Sequence, residues 1–234
     1  MADPVPFRPV AAGSQPPLDL PSYRSTAKRH PDAAPIRIPT TLTEATAPRF
    51  ATPWYAPHAD LSVVDGKTAM GERIIVAGRV TDENGRPVRR AMVEVWQANA
   101  SGRYHHARDQ HDAPLDPNFL GRGRVFTDDG GRYRFTTIRP GAYPWRNPGP
   151  GWRPQHIHFG LHGNGFAQRL ITQMYFPGDP LLGFDAVFQG GGDPAARDRL
   201  VAVLDPDLME PDWALGYRFD IVLRGRAATP FENA

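Results

Sequence analysis

Two histidines separated by one residue, in Gln155-His156-Ile157-His158-Phe159, are the first feature of this sequence that could do chemistry. In a strand, side chains at i and i+2 leave the same face, so the two imidazoles can converge on one point, as metal ligation requires. On the residues alone the pair also reads as two histidines on a polar sheet face. Tyr143 lies in Arg139-Pro-Gly-Ala-Tyr-Pro-Trp-Arg146, between prolines that stiffen a loop and suit a phenol held at fixed aim; a tyrosine packed at a sandwich edge has the same signature. Tyr104 follows Ala98-Asn-Ala-Ser-Gly-Arg, just past the end of a strand containing Trp96, and is ordinary by itself. Arg153, three residues before His156, could set a cation beside the same point or be a surface arginine. The chain has no cysteine. That excludes disulfides, thiolate zinc sites and iron–sulfur clusters, and leaves His, Tyr, Asp and Glu as the metal-binding side chains.

The elements that must position these residues read as short strands punctuated by turns. Arg73 to Val80, Ala91 to Gln97, Arg124 to Thr127 and Arg132 to Ile138 have β-type composition, with turns at Asp82-Glu-Asn-Gly85 and Asp128-Asp-Gly-Gly131. Further strands are expected at Gln155 to Leu161, Arg169 to Phe176 and Tyr217 to Leu223. One helix stands out: Asp193 can cap it, Pro194 suits its first position, and Leu200, Val201 and Leu204 would form its apolar face. The stretch from His105 to Gly123 is polar and proline-bearing, and reads as a long functional loop. With 23 glycines and 26 prolines the chain is rich in turns. The expected fold is all-β: a β-sandwich core with long loops, one or two short helices and an extended N-terminal arm. Residues 1–60 form that Pro-rich arm, either wrapped on the domain or a partner, or disordered; residues 61–234 form the domain that carries the site.

Composition narrows the function classes. The 234 residues suffice for one well-buried domain plus an arm. Net charge is only +2 and the basic residues, almost all Arg, are spread along the chain, which disfavours a nucleic-acid binder. No apolar run approaches the roughly 18 residues of a membrane span, and the N-terminus lacks a secretory pattern. A reducing, cytoplasmic setting fits the absence of cysteine.

Taken in order, Tyr104, Tyr143, His156 and His158 resemble the iron ligands of the intradiol ring-cleaving dioxygenases. Within that family the chain is most similar to the beta chains of the protocatechuate-cleaving branch. The similarity runs from about Pro21 to the C-terminus. It is densest in Gly71-Glu-Arg-Ile-Ile-Val-Ala-Gly-Arg-Val80, Val93-Glu-Val-Trp-Gln-Ala-Asn-Ala100, Ala113-Pro-Leu-Asp-Pro-Asn-Phe119, Trp152-Arg-Pro-Gln-His-Ile-His-Phe159 and Tyr217-Arg-Phe-Asp-Ile-Val-Leu-Arg-Gly225. The resemblance implies a non-haem Fe(III) centre, and two phenolates with two imidazoles are indeed a hard, anionic set that favours a trivalent ion. It implies that Tyr104 is a permanent ligand, that Tyr143 is axial and leaves as a base when a diol binds, and that His158 is equatorial and His156 axial. It makes Arg153 the group that stabilises charge on the substrate ring and Gln173 a neighbouring polar residue. Trp145 and Trp96 become aromatics near the pocket. Tyr23 and Val187 become pocket residues, although Phe184 to Gly192 departs from the family pattern.

The implied reaction is cleavage of protocatechuate (3,4-dihydroxybenzoate) with O2 to 3-carboxy-cis,cis-muconate, with no nicotinamide or flavin. The implied partner is a homologous alpha chain in a hetero-oligomer. Rival readings are intradiol cleavage of another catechol or hydroxyquinol, a non-catalytic β-sandwich partner subunit, and a structural zinc protein. The first rival usually carries a helical N-terminal dimerisation domain, which the Pro-rich arm does not resemble; two Tyr donors and no Cys disfavour the last. His30, His58, His105, His106, His111 and His162 read as surface or loop residues.

Overall fold

A computed structural model of the chain describes residues 56–145, 151–162 and 170–232, together with Pro21 and Ala33. A small hairpin, β1 (Val63–Val64) and β2 (Lys67–Thr68), precedes the main strands β3 (Arg73–Thr81), β4 (Met92–Trp96), β5 (Arg122–Phe126) and β6 (Arg132–Ile138). Two short strands, β7 (Tyr143–Pro144) and β8 (Trp152–Arg153), lead into β9 (His156–His162) and β10 (Leu170–Tyr175). Helices α1 (Ala186–Gln189) and α2 (Pro194–Asp198) follow, then β11 (Val203–Leu204), a 3-10 turn at Pro206–Leu208, β12 (Leu215–Arg218) and β13 (Ile221–Val222). The fold is all-β with two short helices among the described residues, none long and apolar enough to cross a membrane.

The strands form two main sheets. One is antiparallel in the order β10-β9-β4-β5; the other is built on β3, with β6 antiparallel on one side and β12 and β13 parallel on the other. Alternation along β9 sends Ile157, Phe159 and Leu161 into the space between them. There the Phe159 ring meets Tyr133 and Phe135 of the facing sheet and Phe219, just past β12, at centroid separations of 5.9, 6.0 and 5.1 Å. Each buried aromatic of this kind contributes on the order of 1.5–3 kcal/mol. The same alternation turns His156 and His158 to the outer face of the first sheet. The core therefore holds rigid the strand whose other face is polar.

Most strand expectations agree with these elements to within a residue or two. The stretch Tyr217 to Leu223 does not form one strand but breaks at Phe219 and Asp220. The break has a local cause: Asp220 Oδ1 accepts from the Arg79 backbone N–H at 2.9 Å, replacing a ladder bond with a side chain. At Gly78 the Phe219 carbonyl approaches so closely that any side chain there would collide with it. Asp193 does cap a helix, accepting from Ala196 N at 2.8 Å, and Pro194 opens it. That helix ends at Asp198, however, so Leu200, Val201 and Leu204 are not its apolar face. Leu200 packs instead with Tyr175 and Phe188, Val201 bridges to Tyr175, and Leu204 is an exposed strand residue. The strand expected from Arg124 already pairs from Arg122, which shortens the preceding loop. Most of the 1–60 arm lies outside the described residues; at its end His58 pairs with Arg124 and Asp60 with Thr136.

Candidate metal centre

Strand register gathers the polar face of β9. Gln173 lies opposite His158 and Tyr175 opposite His156 on β10, while Trp96 on β4 lies opposite His158 from the other side. Cross-strand neighbours project to one face, so these five side chains share it. The Trp96 indole stacks on the His158 ring at 4.9 Å and 6° between planes. The two imidazoles stand 4.9 Å apart, nearly perpendicular.

The tyrosines arrive from two loops that are tied together. Asn99 Oδ1 accepts from Ser101 N at 3.0 Å, Ser101 Oγ at 2.8 Å and Arg103 N at 2.9 Å, folding the chain after β4 into a tight turn. Gly102 closes that turn at φ +82°, where a Cβ would strike the Ala142 carbonyl, so only glycine lets the two loops meet. The Asn99 carbonyl accepts from Gly141 N at 2.9 Å, and the Tyr104 N–H is held by Asp109 Oδ2 at 2.7 Å. The flanking prolines predict a stiffened loop at Tyr143; instead it sits in β7, paired directly with Arg153 on β8. The Tyr104 and Tyr143 rings meet edge-on at 5.4 Å.

Four donor atoms converge here. His158 Nε2 is 3.1 Å from the Tyr104 hydroxyl, and His156 Nε2 is 3.5 Å from the Tyr143 hydroxyl. Each imidazole is oriented through its other nitrogen. His156 Nδ1 donates to the Pro154 carbonyl at 2.7 Å and His158 Nδ1 to Glu232 Oε2 at 3.0 Å. These partners place the ring protons on Nδ1 and leave both Nε2 lone pairs facing the phenol oxygens, the arrangement a metal-ligating histidine adopts. His156 is only 2% exposed, and burial, with the charge of Arg153 nearby, pushes its pKa well below the usual histidine value. Burial pushes the Tyr104 phenol well up, with Tyr143 adding to the effect, and burial raises Tyr143 as well. Glu232 stays below the usual carboxylate range: burial opposes its charge, and the His158 hydrogen bond overcomes that. Among the described residues no three of His, Cys, Asp or Glu gather to hold a metal, so a metal here depends on the two phenols. Two oxygens able to ionise and two imidazole nitrogens are a donor set suited to a hard trivalent ion.

Arg153 borders the same point. Its NH1 lies 3.2 Å from His156 Nε2 and 3.4 Å from the Tyr143 hydroxyl, and its guanidinium carbon is 5.0 Å from the centre of the Trp145 ring. Its NH2 donates to Gln173 Oε1 at 2.7 Å and to Asp185 Oδ2 at 2.8 Å. Burial works against its charge, but Tyr175, Tyr143 and Asp185 around it hold the guanidinium firmly protonated. The structure thus brings Tyr104, Tyr143, Arg153, His156, His158 and Gln173 together, with Trp96 and Trp145 against them. Val187 is buried on α1, two residues beyond Asp185. Tyr23 lies outside the described residues.

Five residues that build the site do not stand out in the sequence: Asn99, Asp109, Tyr175, Asp185 and Glu232. Asn99 had a signal, an Asn-Ala-Ser-Gly turn run ahead of Tyr104. Tyr175 could have been found by counting two residues on from Gln173 along its strand. Asp185 and Glu232 act on partners 32 and 74 residues away, and no local pattern announces that.

A family model described as dioxygenase matches residues 45–225, and one for the N-terminal region of the protocatechuate 3,4-dioxygenase beta subunit matches residues 7–41. The chain is 56% identical over 223 residues to the protocatechuate 3,4-dioxygenase beta chain of Burkholderia cepacia, covering 94% of both. It is 37% identical over 136 residues to the hydroxyquinol 1,2-dioxygenase of a Rhizobium strain, covering 53% of this chain and 43% of that one. Among solved structures, it resembles hydroxyquinol 1,2-dioxygenase from Pseudomonas putida DLL-E4 (TM-score 0.54, 26% identity, 72% of this chain and 60% of that one). It also resembles catechol 1,2-dioxygenase from Pseudomonas arvilla C-1 (TM-score 0.53, 29% identity, 71% and 56%).

Proposed function

Since this chain belongs to the intradiol dioxygenase family, we propose that it is the iron-bearing beta chain of a protocatechuate 3,4-dioxygenase, cleaving protocatechuate with O2 to 3-carboxy-cis,cis-muconate. The observation that carries the metal site is the meeting of two phenol oxygens with two imidazole Nε2 atoms whose Nδ1 partners are already engaged. Tyr104, Tyr143, His156 and His158 would hold the ion. When bound, non-haem iron(III) supplies Lewis-acid chemistry: it favours ionised phenols beside it and draws electron density from a diol.

The chain's own residues do the rest. The Tyr143 phenol oxygen, ionised when the ion is bound and lying beside Arg153 NH1, would take up one proton of the arriving diol and return to the neutral hydroxyl. Tyr104 is the phenol that stays, its backbone pinned by Asp109. Arg153 NH1 stabilises negative charge developing on the substrate ring, and a cation aimed from a buried position is effective in that role. Gln173 holds Arg153 through Oε1 and presents a polar surface beside it. Trp145, Val187 and, from the arm, Tyr23 make up the substrate walls in this reading. A homologous alpha chain completes a hetero-oligomer, a proposal supported by the match of residues 7–41 to a beta-subunit model. A cytoplasmic location goes with this reading and suits a cysteine-free chain.

The test is oxygen uptake by iron-loaded protein with protocatechuate against catechol, with and without a candidate alpha chain. Uptake with protocatechuate in excess of catechol is expected, highest with the alpha chain present. Uptake with catechol alone would refute the substrate assignment.

A further inference from the structure

We infer that Asp185 is the positioning residue that aims Arg153 for ring cleavage. The inference rests on the role given to Arg153 above and names the group that makes that role possible. An arginine side chain has several rotatable bonds, and its guanidinium acts on a developing charge only if held in one place. Asp185 fixes it as a fork: Arg153 Nε donates to Oδ1 at 3.1 Å and NH2 to Oδ2 at 2.8 Å. Two donors on one edge of the guanidinium are thereby occupied, and NH1 is left facing His156 Nε2 and the Tyr143 hydroxyl. Both partners are buried, Arg153 at 3% exposure and Asp185 at 2%, so water does not compete for the fork.

The carboxylate is itself immobilised. It caps α1, accepting from Phe188 N at 3.4 Å, and the Tyr175 hydroxyl lies 3.1 Å from Oδ2 and 2.7 Å from Gln173 Oε1. The Phe188 ring packs edge-on against Tyr175 at 5.0 Å, closing the circle between helix and strand. One carboxylate thus ties the start of the helix that carries Val187 to the cation at the metal centre.

The test is a double-mutant cycle on the iron-loaded alpha–beta assembly. Asp185→Asn keeps a capping oxygen equal to aspartate's, so α1 retains its start, but turns an N–H donor toward the Arg153 fork. In the wild-type background it is expected to lower kcat for protocatechuate by about 10- to 100-fold. The visible tyrosinate–iron(III) band should keep its intensity, and an anaerobic protocatechuate titration of that band should change little. In an Arg153→Ala background the same substitution should add less than about a twofold loss, because its target is gone. A full additive loss in that background, an unchanged kcat in the wild type, or bleaching of the band would each overturn the inference. If Asp185→Asn is not recovered folded, Asp185→Ser, which keeps a cap without the fork, goes through the same cycle. Failure of both to fold would assign Asp185 to the fold alone and overturn the inference. A coloured wild-type assembly that does not cleave protocatechuate refutes the functional reading first, and the inference falls with it.

Discussion

Replacing Glu232 by alanine removes the carboxylate that orients His158 through Nδ1 at 3.0 Å, without touching any of the four donor atoms. Both side chains are close to fully buried, at 11% and 10% exposure, so solvent does not replace the lost partner well. A hydrogen bond to a charged group of this kind contributes roughly 1.5–3 kcal/mol. If that energy serves to hold the imidazole in its ligating tautomer, iron affinity should fall by about 10- to 100-fold, the range typical of such supporting partners. Glu232→Gln keeps a carbonyl acceptor and loses mainly the charge, so roughly half the free energy and about a three- to tenfold drop are expected. The assay is competition with a chelator, followed by the visible band of the iron-loaded protein, with the thermal midpoint of each iron-free variant as a folding control. The tail backbone should stay in place in both variants, since Glu232 N donates to the Ile171 carbonyl at 2.7 Å. Wild-type iron affinity in a folded Glu232→Ala protein would refute the reasoning, and so would glutamine losing more than alanine.

Tyr143→Phe should still bind iron but turn over at least about tenfold more slowly, because a base for the diol proton is lost; unchanged turnover in steady-state oxygen uptake would remove Tyr143 from the mechanism. Arg153→Ala should keep the visible band and lose about 100-fold or more in kcat, and loss of iron instead would make the residue structural. Tyr133, buried against the Phe219 carbonyl, has a pKa pushed well up by burial and further by Asp220. Its protonated form is favoured in the fold, so its contribution is fully present below about pH 10 and is lost as pH rises through the folded value. Tyr133→Phe should therefore lower the thermal midpoint at pH 8 and flatten its fall above about pH 10; an equally steep fall above that pH in both proteins would contradict this.

The β-sandwich was legible because its strands alternate and its turns carry Asp and Gly where turns need them; Asp193 and Pro194 likewise marked a helix start. What the sequence concealed was where elements stop. Leu200, Val201 and Leu204 look like a helical stripe, but the helix ends at Asp198; Leu200 and Val201 pack with Tyr175 and Phe188, and Leu204 is an exposed strand residue. At Phe219 and Asp220 a side chain, not a composition change, ends the strand. The candidate site divides the same way. Strand geometry lets His156 and His158 converge but does not by itself separate them from two histidines on a polar sheet face, whereas Tyr104 and Tyr143 rest on the family resemblance alone to stand out from ordinary tyrosines. The groups that orient them, Asn99, Asp185 and Glu232, are common polar residues made specific only by where the fold puts them.

The most direct test of the metal centre is the visible absorption spectrum of the purified chain after iron(III) loading. Tyr104 and Tyr143 as ligands predict a charge-transfer band that colours the protein, weakened in Tyr143→Phe and weakened further when Tyr104 is also replaced by Phe. A protein that stays colourless with iron bound, or a band indifferent to both substitutions, would contradict the account.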